Sequence, residues 1–274
     1  MPLNQKQLRN LAPEIESLLR TLEAKALPTN PNAPVNQRLK RAYQSDLEKY
    51  FKQLKASFPY NKLEGVYRKF VTEASVRKES SPLIDPLLVA LNPVLEDLVV
   101  SNTTEIYLAG SNQMVGWAEG AGLAIDFEGP PMRQSIAYAR KHGAKLVKQL
   151  DDTTRKQLAN VIAEGIEGKR GVAGISRDIQ AMFDDMAKFR ADRIALTETN
   201  DALSQAFMDR AKDFKVEFKE WLVVAPCEIC SGNESDGIIP LNSVFSSGHD
   251  RPPAHPNCVC ALAPVVGESE GEGK

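Results

Sequence analysis

The sequence has little histidine and little cysteine, and most of both lies near its C-terminal end. Its three histidines are at positions 142, 249 and 255, and all four cysteines lie between Trp221 and Pro264. The chain also lacks the GxSxG, HExxH and Walker A patterns of serine hydrolases, zinc proteases and P-loop nucleotide-binding proteins. The common types of catalytic site are therefore not indicated by the sequence, and we expect a protein that is not an enzyme.

Long hydrophobic runs are absent as well. The most apolar stretch, from Leu83 to Val100, is interrupted by prolines and carboxylates, so no run of 18 apolar residues occurs and no membrane span is expected. We see no secretory signal at the N-terminus, which predicts assembly in a cytoplasm and argues against a disulfide framework. The composition, with 42% hydrophobic and 26% charged residues, is that of an ordinary globular protein.

The formal net charge of −2 is small, but the charge is unevenly distributed. Residues 1–78 contain fifteen Lys or Arg against seven Asp or Glu, whereas the tail after Gly267 is acidic. A basic N-terminal region fits non-specific contact with DNA or with an acidic protein surface, and the alternative is charge that only solvates helices.

Apolar spacing predicts a mainly α-helical protein. Leu8, Leu11, Ile15, Leu18, Leu19 and Leu22 share one face of a helix over residues 4–25. Further helices are predicted over 37–57, 63–78, 82–100 (one or two short ones), 101–119, 132–142, 151–167, 175–182 and 184–213. From Val216 the apolar period changes to two, which predicts a strand through Phe218 and Leu222. Short strands are also expected at 237–240 with 244–245, and at 259–263.

These patterns divide the chain into four parts. Residues 1–120 form a basic helical N-terminal region, and residues 121–215 form a helical core. A small α+β module that binds zinc through two knuckles covers residues 216–266, and a disordered acidic tail covers 267–274. The predicted fold class is therefore mainly α, with a small C-terminal α+β zinc-knuckle module.

The two Cys/His clusters predict a metal site. Cys227 and Cys230 form a CxxC pair, and His255, Cys258 and Cys260 form H-x-x-C-x-C. Two short knuckles separated by some 25 residues are typical of a zinc ion that joins two turns. Five candidates for four places leave His255 and Cys260 as alternatives for the fourth ligand. A disulfide or redox pair and metal-free packing of the cysteines are the competing interpretations.

Polar residues on the 184–213 helix lie beside its apolar stripe of Phe189, Leu196, Leu203 and Phe207. They include Arg190, Arg193, Thr197, Glu198 and Asn200. One interpretation is a solvated flank, and the other is a polar network that docks the helix against the metal-binding segment.

The combination of two sequence blocks resembles a known family. R-A-D-R-I-A-L-T-E-T-N-D-A (Arg190–Ala202) is followed by a Trp-bearing strand, by CxxC, and by P-P-A-H-P-N-C-V-C (Pro252–Cys260). Over residues 130–264 the chain is similar to the phage Mu protein F-like head morphogenesis family, the minor head proteins of tailed bacteriophages. The chain has Leu196 and Val259 where the family usually has arginine, which leaves the metal-ligand pattern unchanged.

The resemblance implies a structural role in head assembly. It implies metal-site positions Cys227, Cys230, His255, Cys258 and Cys260, with Zn²⁺ as a structural ion. It also implies association with portal, capsid and scaffold proteins, location in the phage head after assembly in the host cytoplasm, and contact with packaged DNA. Arg193, Thr197 and Glu198 match the family as a signature without an assigned role.

Two enzymatic alternatives come from the same C-terminal segment. His249, Asp250, His255 and Asn257 beside a zinc knuckle would suit a metal-dependent nuclease, although prolines crowd this segment. Some members of the resembled family carry ADP-ribosyltransferase domains, but those domains normally extend beyond the zinc module.

Replacement of Cys227 by serine should unfold residues 216–264 while most of the helical signal persists, because metal binding and local folding are coupled. Limited proteolysis with circular dichroism on the same sample checks this expectation. Unchanged protease resistance of the segment would contradict a metal-dependent fold.

Overall fold

Helices account for most of the chain, as the apolar spacing predicts. The computed structural model describes residues 27–72, 87, 92–125, 131–224 and 227–266. Its helices are α1 (Pro34–Ser57), α2 (Leu63–Thr72), α3 (Asn92–Gly120), α4 (Met132–Glu167), α5 (Gly171–Asp185), α6 (Ala191–Asp213) and α7 (Glu228–Ser235). A short 3₁₀ turn (Tyr60–Lys62) precedes α2. The predicted helix over 4–25 and the predicted disordered tail over 267–274 lie outside the described residues.

Three strands follow α6 in the described part of the chain. They are β1 (Phe218–Leu222), β2 (Ile238–Pro240) and β3 (Ala261–Val265), and they form an antiparallel sheet with β1 in the middle. Glu220 pairs with Ile238 on one side and with Ala263 on the other. The predicted fold class, mainly α with a small C-terminal α+β module, is confirmed.

The chain divides into two compact units. One comprises residues 1–40, 104–135 and 196–274, and the other comprises residues 41–103 and 136–195. The boundaries predicted at 120 and 215 follow composition and pattern along the sequence, and they stay predictions.

The second unit has an aromatic and aliphatic core. Phe58 and Phe183 are both buried, with ring centroids 5.8 Å apart, and Ile175 and Ile179 of α5 are also fully buried. At the surface, Lys55 Nζ lies 2.7 Å from Asp184 Oδ2. Ridges of apolar residues on α1, α4 and α5 thus supply the buried surface that stabilises these helices.

The first unit has its core around the sheet. Phe207, Ala211, Trp221, Phe245 and Leu262 belong to one buried cluster, and the same cluster includes Cys230, Cys258 and Cys260. Three of the four cysteines predicted as metal ligands are therefore part of the hydrophobic core of this unit, and the partly buried Cys227 packs against it.

Two predicted helix boundaries are wrong in the same way. Residues 132–142 and 151–167, predicted as separate helices, lie in the single helix α4, and 101–119 continues the helix that begins at Asn92. Gly143 does not interrupt α4, because the space beside it is filled by Val99 of α3, whose Cγ1 would lie 3.2 Å from an added Cβ. Tertiary packing here outweighs the low intrinsic helix propensity of glycine.

The predicted helix over 184–213 is divided. The five residues Met186–Arg190 form a π turn between α5 and α6. A π turn inserts one residue and shifts the phase of the helix. As a result Phe189, predicted in the apolar stripe, is 57% exposed, whereas Leu203 and Phe207 are fully buried.

In the C-terminal module the predicted strands exist, but details differ. Lys219 and Trp221, rather than Phe218 and Leu222, are the fully buried side chains of β1. Val244 and Phe245 do not extend β2, since the Phe245 N–H donates to the carbonyl of His249 and closes a turn. Helix α7, which begins within the CxxC pair and ends before β2, was not predicted.

No helix in the described residues combines the length and the hydropathy that crossing a membrane requires.

Gly165 and Gly116 provide a matched test of packing within helices. A Cβ on Gly165 would clash with Ile175 Cγ1, so Gly165→Ala should destabilise the protein by about 1–3 kcal/mol. Gly116 is exposed, and no described atom outside its own helical turn lies within 4 Å of an added Cβ. Gly116→Ala should therefore stabilise by about 0.5–1 kcal/mol. Urea unfolding of both variants measures the difference, and a stabilising Gly165→Ala would contradict the packing.

Candidate metal centre

The first knuckle is the N-terminus of helix α7. Cys227 is the N-cap residue, in an extended conformation, and its sulfur accepts a hydrogen bond from the Cys230 N–H at 3.4 Å. This hydrogen bond is the main cause that lowers the pKa of the Cys227 thiol. The N-cap position thus places the Cys227 sulfur at the end of a helix where a backbone N–H group favours thiolate.

The second knuckle is a tight turn that leads into β3. Asn257 has a φ of 64°, in the left-handed region that asparagine tolerates better than most residues. The turn is closed by a hydrogen bond of 3.2 Å from the Cys258 N–H to the His255 carbonyl. His255 Nδ1 lies 2.9 Å from the carbonyl oxygen of Pro256. If that nitrogen carries the proton, Nε2 is free to act as a ligand atom.

The two knuckles come together around Cys230. The Nε2 atom of His255 lies 3.2 Å from the Cys227 sulfur and 3.3 Å from the Cys230 sulfur. The sulfurs of Cys230 and Cys258 are 3.8 Å apart. In the described residues these atoms form two groups that could hold a metal ion, Cys227–Cys230–His255 and Cys230–Cys258–Cys260. All five residues predicted from the sequence are in these groups, and Cys230 belongs to both.

Burial makes the charge of this cluster costly. Cys230, Cys258 and Cys260 are each at most 1% exposed. Burial, and then the neighbouring Cys258, raise the pKa of Cys230 to about 12. A hydrogen bond with Cys260 lowers the pKa of Cys258 to about 5, while the same bond and burial raise the pKa of Cys260. Burial thus favours the neutral thiol at Cys230 and Cys260, and several adjacent thiolates at this place would need a compensating cation, such as a metal ion.

Helix α6 holds the second knuckle through its polar face. Asn200 Nδ2 donates to the carbonyl oxygens of Cys258 at 2.8 Å and Cys260 at 3.2 Å. The Asn257 N–H donates to Thr197 Oγ1 at 3.2 Å. The interpretation of this face as a docking network is therefore confirmed for Thr197 and Asn200. Arg190, in contrast, bonds to Thr154 and Gln157 of α4.

An ion pair next to this network was not predicted. Arg251 Nη2 lies 3.1 Å from Asp201 Oδ1, and both side chains are at most 20% exposed. Asn200 and Asp201 follow Thr197 on α6 by three and four residues, so both lie on the helix face of Thr197. That spacing is the signal by which sequence reasoning could have added Asp201 to the network.

Lys219 is a second residue that the sequence patterns did not single out. Its side chain is fully buried, its Nζ donates to the Asp250 carbonyl at 2.7 Å, and it lies 5.4 Å from the ring centroid of Phe245. Burial is the main cause that lowers the pKa of Lys219 to about 8. Phe245 also packs edge-on against Trp221 at 5.1 Å. Lys219 therefore fastens the loop between the two knuckles to β1.

The residues of the nuclease alternative have other contacts. His249 Nδ1 lies 3.0 Å from Ser247 Oγ, and the Asp250 carboxylate accepts a hydrogen bond from Arg251 at 3.2 Å. The candidate metal-binding groups of the described residues include neither His249 nor Asp250. Of the four nuclease candidates, His255 is the one placed among potential metal ligands.

Asn200→Ala removes the two hydrogen bonds that Asn200 Nδ2 donates to the second knuckle. It leaves the carbonyl groups of Cys258 and Cys260 without this partner. We expect a loss of about 1–3 kcal/mol in the free energy of unfolding, together with faster transfer of bound metal to a chromophoric chelator. The control is Gln205→Ala on the same helix, which removes a bond to Asp209 at 3.0 Å and should cost about 0.5 kcal/mol or less. Equal effects of the two variants would show that Asn200 does not position the knuckle.

Comparison of the chain with protein-family models, with curated proteins and with solved structures finds no match in any of the three. The site is a Cys/His cluster that could hold a metal ion. It lies in the core beside a small sheet and is attached to one helix by side-chain to backbone hydrogen bonds.

Proposed function

We propose that this protein is a minor head protein of a tailed bacteriophage, with a structural role in head morphogenesis. The supporting observation is the contact between the two sequence blocks that resemble the Mu F-like family. Thr197 and Asn200 of the first block bond to the backbone of Asn257, Cys258 and Cys260 in the second. Two blocks that make such contacts form one structural unit, and this gives a physical reason for them to occur together.

The proposed ion is zinc. Tetrahedral zinc with sulfur and nitrogen ligands requires about 3.8 Å between two sulfurs and about 3.5 Å between a sulfur and a nitrogen. The Cys230–Cys258 sulfur distance is 3.8 Å, and the two distances from His255 Nε2 to sulfur are 3.2 and 3.3 Å. We propose Cys227, Cys230 and Cys258 as ligands, with His255 and Cys260 as the alternatives for the fourth place. In the described residues Cys230 is the member that the two candidate metal-binding groups share.

The role of the ion would be structural. Four protein ligands fill a tetrahedral site and leave no position for a water molecule or a substrate. The cluster also lies within the hydrophobic core of the unit, beside Trp221 and Phe245. A metal ion here would supply the positive charge that the buried thiolates require, and it would join the two knuckles. We accordingly propose that the protein is not an enzyme.

The proposed partners are the portal, capsid and scaffold proteins of the phage head, and the proposed location is the head interior after assembly in the host cytoplasm. Non-specific DNA contact through the basic N-terminal region is a secondary proposal. Part of that positive charge is already paired with carboxylates. Lys49 forms an ion pair with Asp46, Lys52 with Glu48, and Arg68 with Glu64. Contact with DNA would therefore depend on the remaining basic residues and would weaken steeply with salt.

Co-purification with portal and scaffold proteins, combined with elemental analysis of the same sample, tests both parts of the proposal. We expect the protein to be retained by these partners and to contain about one zinc ion per chain. His255→Ala and Cys260→Ser, measured side by side, identify the fourth ligand as the residue whose loss reduces the zinc content. Ser231→Ala, next to Cys230 and outside both candidate metal-binding groups, is the control.

Two results would contradict the proposal. A purified protein that is folded but contains no metal would contradict the proposed zinc site. A protein that never associates with portal or scaffold proteins would contradict the proposed role in assembly. Plasmid nicking with magnesium or manganese that disappears in His249→Ala would instead support the nuclease alternative.

A further inference from the structure

The three-stranded sheet has one face toward the core and a second, apolar face that solvent reaches. Directly opposite residues of antiparallel strands point to the same side. Lys219 and Trp221 of β1 are buried toward the core, so the alternate residues and their partners lie on the second face. This face consists of Phe218, Glu220, Leu222, Ile238, Pro240 and Val265, together with smaller residues. We call it the outer sheet face.

The outer sheet face is unusually apolar for a solvent-exposed surface. Glu220 is the charged residue among the six, and Ile238 is 56% exposed. Phe218, Leu222 and Val265 are only half-buried in the described part of the chain. An antiparallel sheet with one solvated face normally alternates apolar and polar side chains. The outer sheet face departs from that alternation, which indicates that another element covers it.

The described structure begins close to this sheet. Thr29 and Asn30 are buried. The side-chain oxygen of Gln113 on α3 accepts a hydrogen bond from the Thr29 N–H at 3.1 Å. The Gln113 side chain also exchanges two hydrogen bonds with the side chain of Asn36. The side-chain amide of Asn32 donates to the Val259 carbonyl at 3.4 Å. Val259 lies two residues before β3, so Asn32, five residues after the first described residue, lies beside the start of an edge strand of the sheet.

The preceding segment has the sequence pattern that such a face requires. Leu8, Leu11, Ile15, Leu18, Leu19 and Leu22 form a stripe about 100° wide on a helix, which is the width expected for a helix that packs on a core. A strand of five residues is about 17 Å long, equal to about three helical turns. The three turns nearest Leu27 carry Ile15, Leu18, Leu19 and Leu22. Residues 23–27 span up to about 17 Å, more than the roughly 10 Å across three strands.

We propose that residues 4–22 of the same chain dock as an amphipathic helix on the outer sheet face, with residues 23–27 as the connection to the described structure. The helix buries its leucine stripe against Phe218, Leu222 and Ile238, and it completes a layer of helix on sheet. The C-terminal metal module and the N-terminal region are then joined at two places, through Asn32 and through this helix. The inference is independent of the proposed function.

Photo-crosslinking of the full-length protein tests the inference. Ile238 is replaced by p-benzoyl-phenylalanine, and the crosslinked product is separated by mass and digested with trypsin. We expect a product at the mass of one chain, 30.2 kDa, in which position 238 is joined to the tryptic peptide of residues 10–20 or 21–25. The control is the same probe at Val94, an apolar residue that is 50% exposed and not part of the sheet. It should give no crosslink to these peptides.

A second pair of variants separates docking from accidental proximity. Leu18→Glu with Leu19→Glu places charge in the stripe and should abolish the crosslink and accelerate amide hydrogen exchange in Phe218–Leu222. Glu16→Gln, outside the stripe, should leave both measurements unchanged. A crosslinked product at twice the chain mass, a product joined to residues outside 1–26, or an unaffected crosslink in the charged variant would each overturn the inference.

Discussion

Three thiols, those of Cys230, Cys258 and Cys260, are buried in contact with one another, and the C-terminal module is organised around the charge that they can carry. In an apolar core a thiolate is costly, and a second thiolate next to it is more costly still. The structure reduces this cost locally, through the helix N-terminus at Cys227 and the hydrogen bond between Cys258 and Cys260. A divalent cation shared by thiolates from the two knuckles would offset the remaining cost of the buried negative charge.

Helix α6 connects this cluster to the helical part of the same unit. Its polar face reaches the second knuckle through Thr197, Asn200 and Asp201, while Phe207 and Ala211 on the next turns enter the apolar core. One helix therefore both packs against the module and fixes the backbone of the loop that carries the candidate ligands. The hydrogen bonds come mainly from the Asn200 amide, which donates to two carbonyl groups, and bonds of this kind orient the loops of metal sites in many proteins.

Lys219 illustrates how contacts within the protein hold the loop between the knuckles. Its ammonium group is buried beneath the loop, donates to the Asp250 carbonyl and lies near the Phe245 ring. A buried charge of this kind weakens stability unless it is well bonded, and the Asp250 carbonyl supplies such a bond here. The loop that carries His255 and Cys258 is thus fastened on two sides, by Lys219 from the sheet and by Arg251 to Asp201 from the helix.

Local sequence pattern was enough to predict the fold class, most helical segments, the strands of the module and the five candidate metal-binding residues. These follow from periodicity and from the spacing of a few chemically distinctive side chains, which the folded environment does not alter. Other features depend on contacts between residues far apart in the chain. Gly143 continues α4 because Val99 fills the space beside it, and the turn at Met186–Arg190 removes Phe189 from its apolar stripe. The buried face of β1, marked by Lys219, also depends on what packs on the sheet, because alternation along a strand gives two faces and does not state which one is inside.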